Sequence, residues 1–336
     1  MTMRRSSSFA VGVILLSLAL ALGYMYYLNI EKNTLDMRLD LHRQIVQGSA
    51  PSPYQYRVLV PFLAEGLFRV ERLFFPDYRA FALSYIVLNV GALFLWLWAG
   101  FRLLRVWYRT EYALIGTLFV AAVTPLTFYD HYFQPWSFWE AFFYILSLML
   151  MAEGRWGWLA GVVLLASLNR ETAVLILPAF ALTMLAGERL FNLRGWQWTR
   201  AGWLALYALL WGGVFLALRG LRPATQPVET LAQIWQFNIQ PAHLFRAGVN
   251  WVLFLGGFWL MAFLAYRRAP LFLQRAGWVL VFHLPLILVW GYWQEVRMLL
   301  PHAFVFVGLG LAVFPEALKP SPPPSPSPAP ETRGAG

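Results

Sequence analysis

The sequence predicts an all-α fold, a polytopic transmembrane helical bundle of about ten helices with amphipathic interfacial helices in its first outer loop. Three observations predict it. Of 336 residues, 60% are hydrophobic and only 12% charged, more apolar side chains than a soluble domain of this length has room to bury. The apolar residues fall in repeated runs near the length that crosses a bilayer as a helix. Arginines gather in alternate connections, as the positive-inside rule requires of a chain that crosses repeatedly.

The first element follows "MTMRRSSS". The run "FAVGVILLSLALALGYMYYL", residues 9–28, continues into an aromatic end past the small residues at Ala19–Ala21, which favours an uncleaved anchor over a signal peptide. Arg4 and Arg5 place the N-terminus in the cytoplasm. Further spans read as 80–101, 112–129, 136–152, 156–169, 172–186, 201–218, 248–266, 276–292 and 298–314. Arg102, Arg105, Arg109, Arg155, Arg267, Arg268 and Arg275 then fall in short cytoplasmic loops, and both termini lie inside. Residues 1–314 form one membrane domain, and residues 315–336, "KPSPPPSPSPAPETRGAG" above all, read as a disordered Pro/Ser-rich cytoplasmic tail.

Two outer segments are long. Residues 29–79 contain "YQYRVLVPFLAEGLFRVERLFFP", with apolar residues at helical spacing and Arg57, Glu65, Arg69, Glu71 and Arg72 between them. That pattern suits helices lying in the membrane interface. Residues 219–247 include "ETLAQIWQFNIQPAHLF", a second interfacial element. The net charge of +10 serves topology and lipid head groups here, so membrane lipids are the expected partners and nucleic acid is not.

Four polar sets map to the outer face. "SLNRETAVLILP" places Asn169, Arg170 and Glu171 inside some thirty apolar residues. The stretch from 156 to 186 is too long for one straight span and short for two, so two short helices meet at this turn, which must face a water-filled interior. The alternative is a plain hairpin at a thin membrane edge, with the arginine reaching for water. "DHYFQPWSFWE" brings Asp130 and His131 to the boundary and Glu140 one helical turn inside it, where a carboxylate needs a partner or water. "YWQEVRMLLPH" opens the last span. Glu295 and Arg297, two apart, point to different sides of a helix and each wants another partner. "NTLDMRLDLHRQ" follows the first span, and Asp36 and Asp40, four apart, share a face if the segment is helical. Arg57 stands nearby in sequence. Each set also has a structural explanation, as caps or interfacial ion pairs. Their convergence on one face favours a site. His283 and His302 read as satisfied bundle residues.

Arginines can hold phosphate oxygens and a carboxylate can accept a hydroxyl proton. That combination fits a ligand that is an anionic lipid carrying a polar cargo. With many helices, a long first outer loop and acids soon after the first span, the chain resembles the GT-C superfamily of integral-membrane glycosyltransferases. The "YQYRVLVP" and "NRETA" stretches are similar to segments of bacterial membrane proteins of this general type. The resemblance implies sugar transfer from a lipid-linked, polyprenyl-phosphate donor at the outer face of a bacterial inner membrane, with Asp40 or Asp36 as catalytic base. Three residues separate these two acids, where many such families carry adjacent ones. Arg57, Asp130, His131, Glu140, Asn169, Arg170, Glu171, Glu295 and Arg297 would bind substrate. A transporter or flippase for a lipid-linked or amphipathic substrate is the alternative, and a non-catalytic assembly subunit a third. No cysteine and five histidines argue against a tightly held zinc. No metal site is expected, and a carboxylate-bound Mg or Mn ion is the one cofactor the composition accommodates.

Overall fold

The computed structural model describes residues 2–128, 135–186, 197–222 and 225–319. Among them the chain is helical, with two isolated bridges and no strand. The helices are α1 (Thr2–Tyr26), α2 (Leu35–Gln47), α3 (Leu59–Glu71), α4 (Asp77–Trp107), α5 (Thr110–Val123), α6 (Trp136–Ala152), α7 (Trp156–Asn169), α8 (Ile176–Phe180), α9 (Ala201–Leu221), α10 (Leu231–Asn238), α11 (Pro241–Leu255), α12 (Gly257–Ala265), α13 (Leu271–Gly277), α14 (Val279–Trp290) and α15 (Ala303–Leu311).

Five helical stretches among the described residues are long and apolar enough to cross a membrane: Phe9–Glu31, Asp77–Trp107, Thr110–Thr127, Trp198–Leu221 and Leu271–Trp290. A sixth is made if Pro241–Leu255 and Gly257–Arg268, bent by 63°, count as one. Gly256 carries that bend at φ +49°, a conformation side chains disfavour. The remaining apolar helices are shorter. The 14 residues of α7 reach about 21 Å at ~1.5 Å per residue, less than a hydrocarbon core of about 30 Å. Length and composition thus give five or six spans, fewer than the ten expected, because four expected spans fold as short helices.

The core forms around α4, which packs against α1, α3, α5 and α6, while α12 packs on α15. Trp96 of α4 meets Phe304 of α15 edge-on, with ring centroids 5.4 Å apart. Helix α15 approaches α4 closely enough that a Cβ at Gly100 would overlap the Phe304 ring.

Connections meet at the two ends of the bundle. At one end the long loops knit together. The Arg222 guanidinium donates to the carbonyls of Ile45 (2.7 Å) and Gln55 (2.8 Å), and Val228 N donates to Ser52 O. Asn238 of α10 donates to Gly291 O, and Asn250 of α11 to Gln294 O. Helix α10 begins with a capping box between Thr230 and Gln233, which satisfies two otherwise orphaned donors. At the opposite end Arg102 pairs with Glu153, Gln197 N donates to Leu185 O, and Arg275 donates to Ala186 O. Here the tail expected to be disordered from residue 315 begins with a docked stretch. Pro315–Ala317 forms a 3-10 turn, Arg109 N donates to Ala317 O, and Lys319 N donates to Trp107 O. Backbone groups at the end of α4 lack helical partners, and the tail supplies them. Residues 320–336 lie outside the described residues.

The segment 29–79, expected to carry interfacial helices, folds into two helices among its described residues. Helix α2 turns Leu35, Arg38, His42 and Ile45 inward. Helix α3 buries Val60, Pro61 and Ala64 and leaves Phe62, Leu63 and Val70 exposed.

Candidate functional site

The site is built on the break between α7 and α8. Arg170 is extended (φ −162°, ψ 149°), so α7 stops at Asn169 and a 3-10 turn, Glu171–Leu175, leads into α8. The break braces itself with backbone-directed bonds. Val58 N donates to Leu168 O at 3.0 Å, Asn169 Nδ2 to Trp136 O at 3.2 Å, Trp136 Nε1 to Arg57 O at 3.2 Å and Trp211 Nε1 to Glu171 O at 3.2 Å. The Leu168 carbonyl, freed where α7 ends, finds its donor in Val58 N, and three tryptophan or asparagine side chains tie further carbonyls around the break.

Three ion pairs converge on this turn. Arg170 pairs with Glu140 at 2.5 Å. Thr172 donates its hydroxyl to the other Glu140 oxygen, so both oxygens are engaged. Arg57 pairs through Nε with Glu171 Oε2 at 3.3 Å, and its guanidinium lies against Tyr54 and Trp136, which stack with centroids 5.5 Å apart. Burial pulls the Arg57 guanidinium below its ordinary range, and the Glu171 carboxylate opposes that shift. Glu295 pairs with Arg297 at 2.5 Å. The fields of Glu140, Glu171 and Glu295 all act on Arg170. The three pairs therefore form one charge-balanced cluster.

The Glu295–Arg297 pair corrects the expectation that these residues point apart. That reasoning assumed an α-helix. The chain is non-helical up to Glu295 (φ −86°, ψ 87°), and a 3-10 helix, Val296–His302, starts only after it. With the helical geometry gone, side chains two apart can meet.

Two crevices flank the turn. One, a narrow recess about large enough for a single water, is lined by Glu140, Tyr144, Asn169, Arg170, Thr172 and Pro301 among others. Behind it Tyr144 meets the His302 ring edge-on, and His302 shares a 3.0 Å hydrogen bond with His283, so both histidines are bundle residues as expected. The other, equally narrow, is lined by Tyr56, Ser167, Glu171, Trp211, Phe215 and Arg219. Several buried polar atoms at the crevices have no hydrogen-bond partner among the described residues, namely the Tyr144 hydroxyl, Asn169 Oδ1, Arg170 Nε and Glu171 Oε1. Unsatisfied buried polar atoms are costly, and those at the crevices leave a place for water.

Arg57, Glu140, Asn169, Arg170, Glu171, Glu295 and Arg297 are thus brought together. Asp36 and Asp40 are not. Both stand exposed on α2, on the side away from its buried Arg38 and His42. Asp130 and His131 lie outside the described residues. No three His, Asp or Glu side chains among the described residues group closely enough to hold a metal ion.

Sequence reasoning missed Thr172, although it sits inside the "NRET" string, and it missed Arg219. It also missed a second buried network. Glu31, 1% exposed, pairs with the fully buried Arg38 at 3.7 Å and accepts from Asn89 at 2.5 Å. His42 bonds Tyr85 at 3.0 Å and Glu65 at 3.1 Å. An acid directly at the end of an apolar run, with an arginine two helical turns on, was the available signal. Comparison with known proteins found no matching family model, no matching curated relative and no matching solved structure.

Proposed function

We propose that the chain is an integral-membrane glycosyltransferase of GT-C type that moves a sugar from a polyprenyl-phosphate donor to an acceptor at the extracytoplasmic face of a bacterial inner membrane. One observation carries the reading: six charged side chains from distant parts of the chain meet in a balanced cluster, beside crevices with unsatisfied polar atoms, at one end of an apolar bundle. Ionisable groups at such depth serve a substrate or its path more often than structure alone.

Ten traversals with both termini cytoplasmic fit the hydrogen bonding at the two ends. Segments around 45–58, 168–171, 222–228 and 291–295 meet at the site end, and those around 102–109, 153, 185–186, 197, 275 and 317–319 at the other. The chain alternates between them, and the arginine-rich connections fall opposite the site.

Sugar transfer needs a base for the acceptor hydroxyl and a fixed cation for the departing phosphate. The resemblance puts the base on Asp40 or Asp36, which requires the acceptor to bind over the exposed face of α2. The geometry favours Glu171 instead. Glu140 is engaged at both oxygens and Glu295 is held by Arg297, whereas Glu171 keeps Oε1 without a partner at a crevice wall.

The test is a transfer assay in proteoliposomes with a radiolabelled polyprenyl-phosphate sugar. Release or transfer of sugar by the wild type is the expected result. Movement of the intact donor across the bilayer without sugar release would establish the transporter reading in its place.

A further inference from the structure

The recess beside Glu171 has room for about one water, yet Glu171 Oε1 at its wall lacks a hydrogen-bond partner. Anything larger than water reaches that oxygen only if a wall moves. One wall is α9, which contributes Trp211, Phe215, Leu218 and Arg219. This helix is the most weakly held of the candidate spans. In its most apolar stretch 6% of the residues are buried, against 28% to 50% in the other four, and Tyr207 is its single buried residue.

The two halves of α9 are held differently. The first half is fixed. Arg200, just before it, donates to Met184 O at 3.1 Å, Tyr207 donates to Trp156 O at 3.0 Å and meets the Phe180 ring edge-on, and Trp211 donates to Glu171 O. Directly after Trp211 stand Gly212 and Gly213. Adjacent glycines weaken a helix interior and are a usual place for it to bend. The second half, residues 214–221, makes no side-chain hydrogen bond to another element among the described residues, and Arg219 reaches across only to the Tyr56 ring. The helix ends at Leu221, and Arg222 beyond it is extended at φ −120° and ψ 128°. Arg222 is what closes this half, through its bonds to the carbonyls of Ile45 and Gln55. The chain that follows is tied to the same loop by Thr225, which donates to Ala50 O.

We infer that residues 214–221 are a flap, hinged at Gly212–Gly213 and latched by Arg222, that bows outward toward the bilayer and opens the recess at Glu171. Non-helical chain above and a glycine pair below leave this half free to bow between two tied ends. Opening carries Phe215, Leu218 and Arg219 away from Tyr56, while Trp211 stays bonded to Glu171 O and keeps the acid in place. Packing does little to oppose the movement. Leu216 and Leu221 are 69% and 82% exposed, and lipid surrounds such side chains about as well as protein does. The latch therefore sets the balance between closed and open. The inference concerns access to Glu171 and stands apart from the reaction proposed for it.

The chain has no cysteine, so spin labels can be placed at chosen positions. Leu216→Cys on the flap and Leu209→Cys on the fixed half are each paired with Val87→Cys on α4, all three sites being exposed. Distances are read by double electron–electron resonance on the full-length protein in lipid nanodiscs. The Leu209 pair is expected to show one distance throughout. At Leu216, Arg222→Gln raises the ratio of a displaced population to the closed one about tenfold, the weight of one ordinary hydrogen bond. Gly212→Ala with Gly213→Ala, sites where a Cβ meets open space, lowers that ratio. A Leu216 distribution in Arg222→Gln identical to the wild type overturns the inference. So does a shift that Leu209 and Leu216 share, because the helix then moves whole and has no hinge. Should Arg222→Gln fail to insert, the wild type decides, and a Leu216 distribution unmoved by the two alanines overturns the flap as well.

Discussion

Glu140 and Arg170 stand 30 positions apart in the chain and 2.5 Å apart in space. Their side chains are 9% and 13% exposed, and Thr172 closes the remaining carboxylate oxygen. The pair pins the first turn of α6 to the break after α7, and that break is what gives the site its shape. A buried pair of this kind is weak support for stability when intact, because desolvation offsets most of the attraction, but it is severe when half removed.

The first prediction follows. Arg170→Met leaves Glu140 buried with only Thr172, and Glu140→Leu leaves Arg170 facing Glu171 and Glu295. Each single change costs about 3–5 kcal/mol, seen as a lowered thermal midpoint in detergent. The double variant Glu140→Leu with Arg170→Met recovers at least half of that loss, since no unpaired charge remains. Additive losses in the double variant would show that the two residues do not act as a pair.

The second concerns the base. Replacing a general base by its amide keeps shape and removes proton acceptance, a loss of about 10²–10⁴-fold in rate. Glu171→Gln is expected to lose turnover on that scale with donor binding retained. Asp36→Asn and Asp40→Asn are expected to stay within about threefold of wild type, because carboxylates exposed on α2 are solvated and perturb little when neutralised. A large loss for either aspartate, with Glu171→Gln active, would return the base to α2.

Much of this geometry was legible in the sequence. The length from Trp156 to Ala186 demanded a break, and the three polar residues at its centre said where. The period of the apolar residues gave α3, and the spacing of Asp36 and Asp40 put both on one face. What escaped is tertiary. Arg219 reads in sequence as an arginine at the end of a span, a common topological residue, and only the fold brings it to Glu171, 48 positions away. Glu31 stands so close to the end of the first apolar run that it reads as solvated, yet α4 covers it with Asn89. The Glu295–Arg297 pair was misjudged because the local backbone is 3-10 and turn rather than α-helix, a difference that the apolar pattern of a short segment does not encode.

The third prediction is a pH dependence of the segment between α1 and α4. His42 is buried against Tyr85 and Glu65, with Arg38 and Arg43 close by. Burial drives its pKa below the ordinary 6.5, with Glu65 opposing. Glu65 is partly desolvated, yet its hydrogen bonds from Arg69 and His42 hold its pKa below 4.5. Both groups are depressed in the folded state, so the released loop takes up protons more readily than the docked one. Stability is therefore full above the unfolded pKa of each and falls as pH falls, first below about 6.5 for His42 and then below about 4.5 for Glu65. Hydrogen exchange of α2 and α3 should accelerate between about pH 8 and about pH 5 after correction for intrinsic rates. His42→Gln should flatten the upper part of that change. A docking strength indifferent to pH in the wild type would exclude the mechanism.

The last prediction tests the architecture on which the site depends. If the chain makes ten traversals, the two ends of the bundle lie on opposite sides of the membrane. A reporter fused after Arg109 or Arg268 then reads cytoplasmic, and one inserted near Ser49 or after Thr225 reads external. The informative position is Glu153–Gly154, between α6 and α7. Gly154 sits at φ +69° in a tight turn, and Glu153 pairs with Arg102 and Arg155. Ten traversals put this turn in the cytoplasm, so a cysteine introduced there is shielded from an impermeant maleimide in intact cells and labelled after lysis. If only the five or six long helices cross, the short helices α6, α7 and α8 form re-entrant or surface elements, and Glu153 lies across the membrane from Arg102, so the pair between them cannot form. Labelling at Gly154→Cys from the same side as at Ser49→Cys would establish that smaller count.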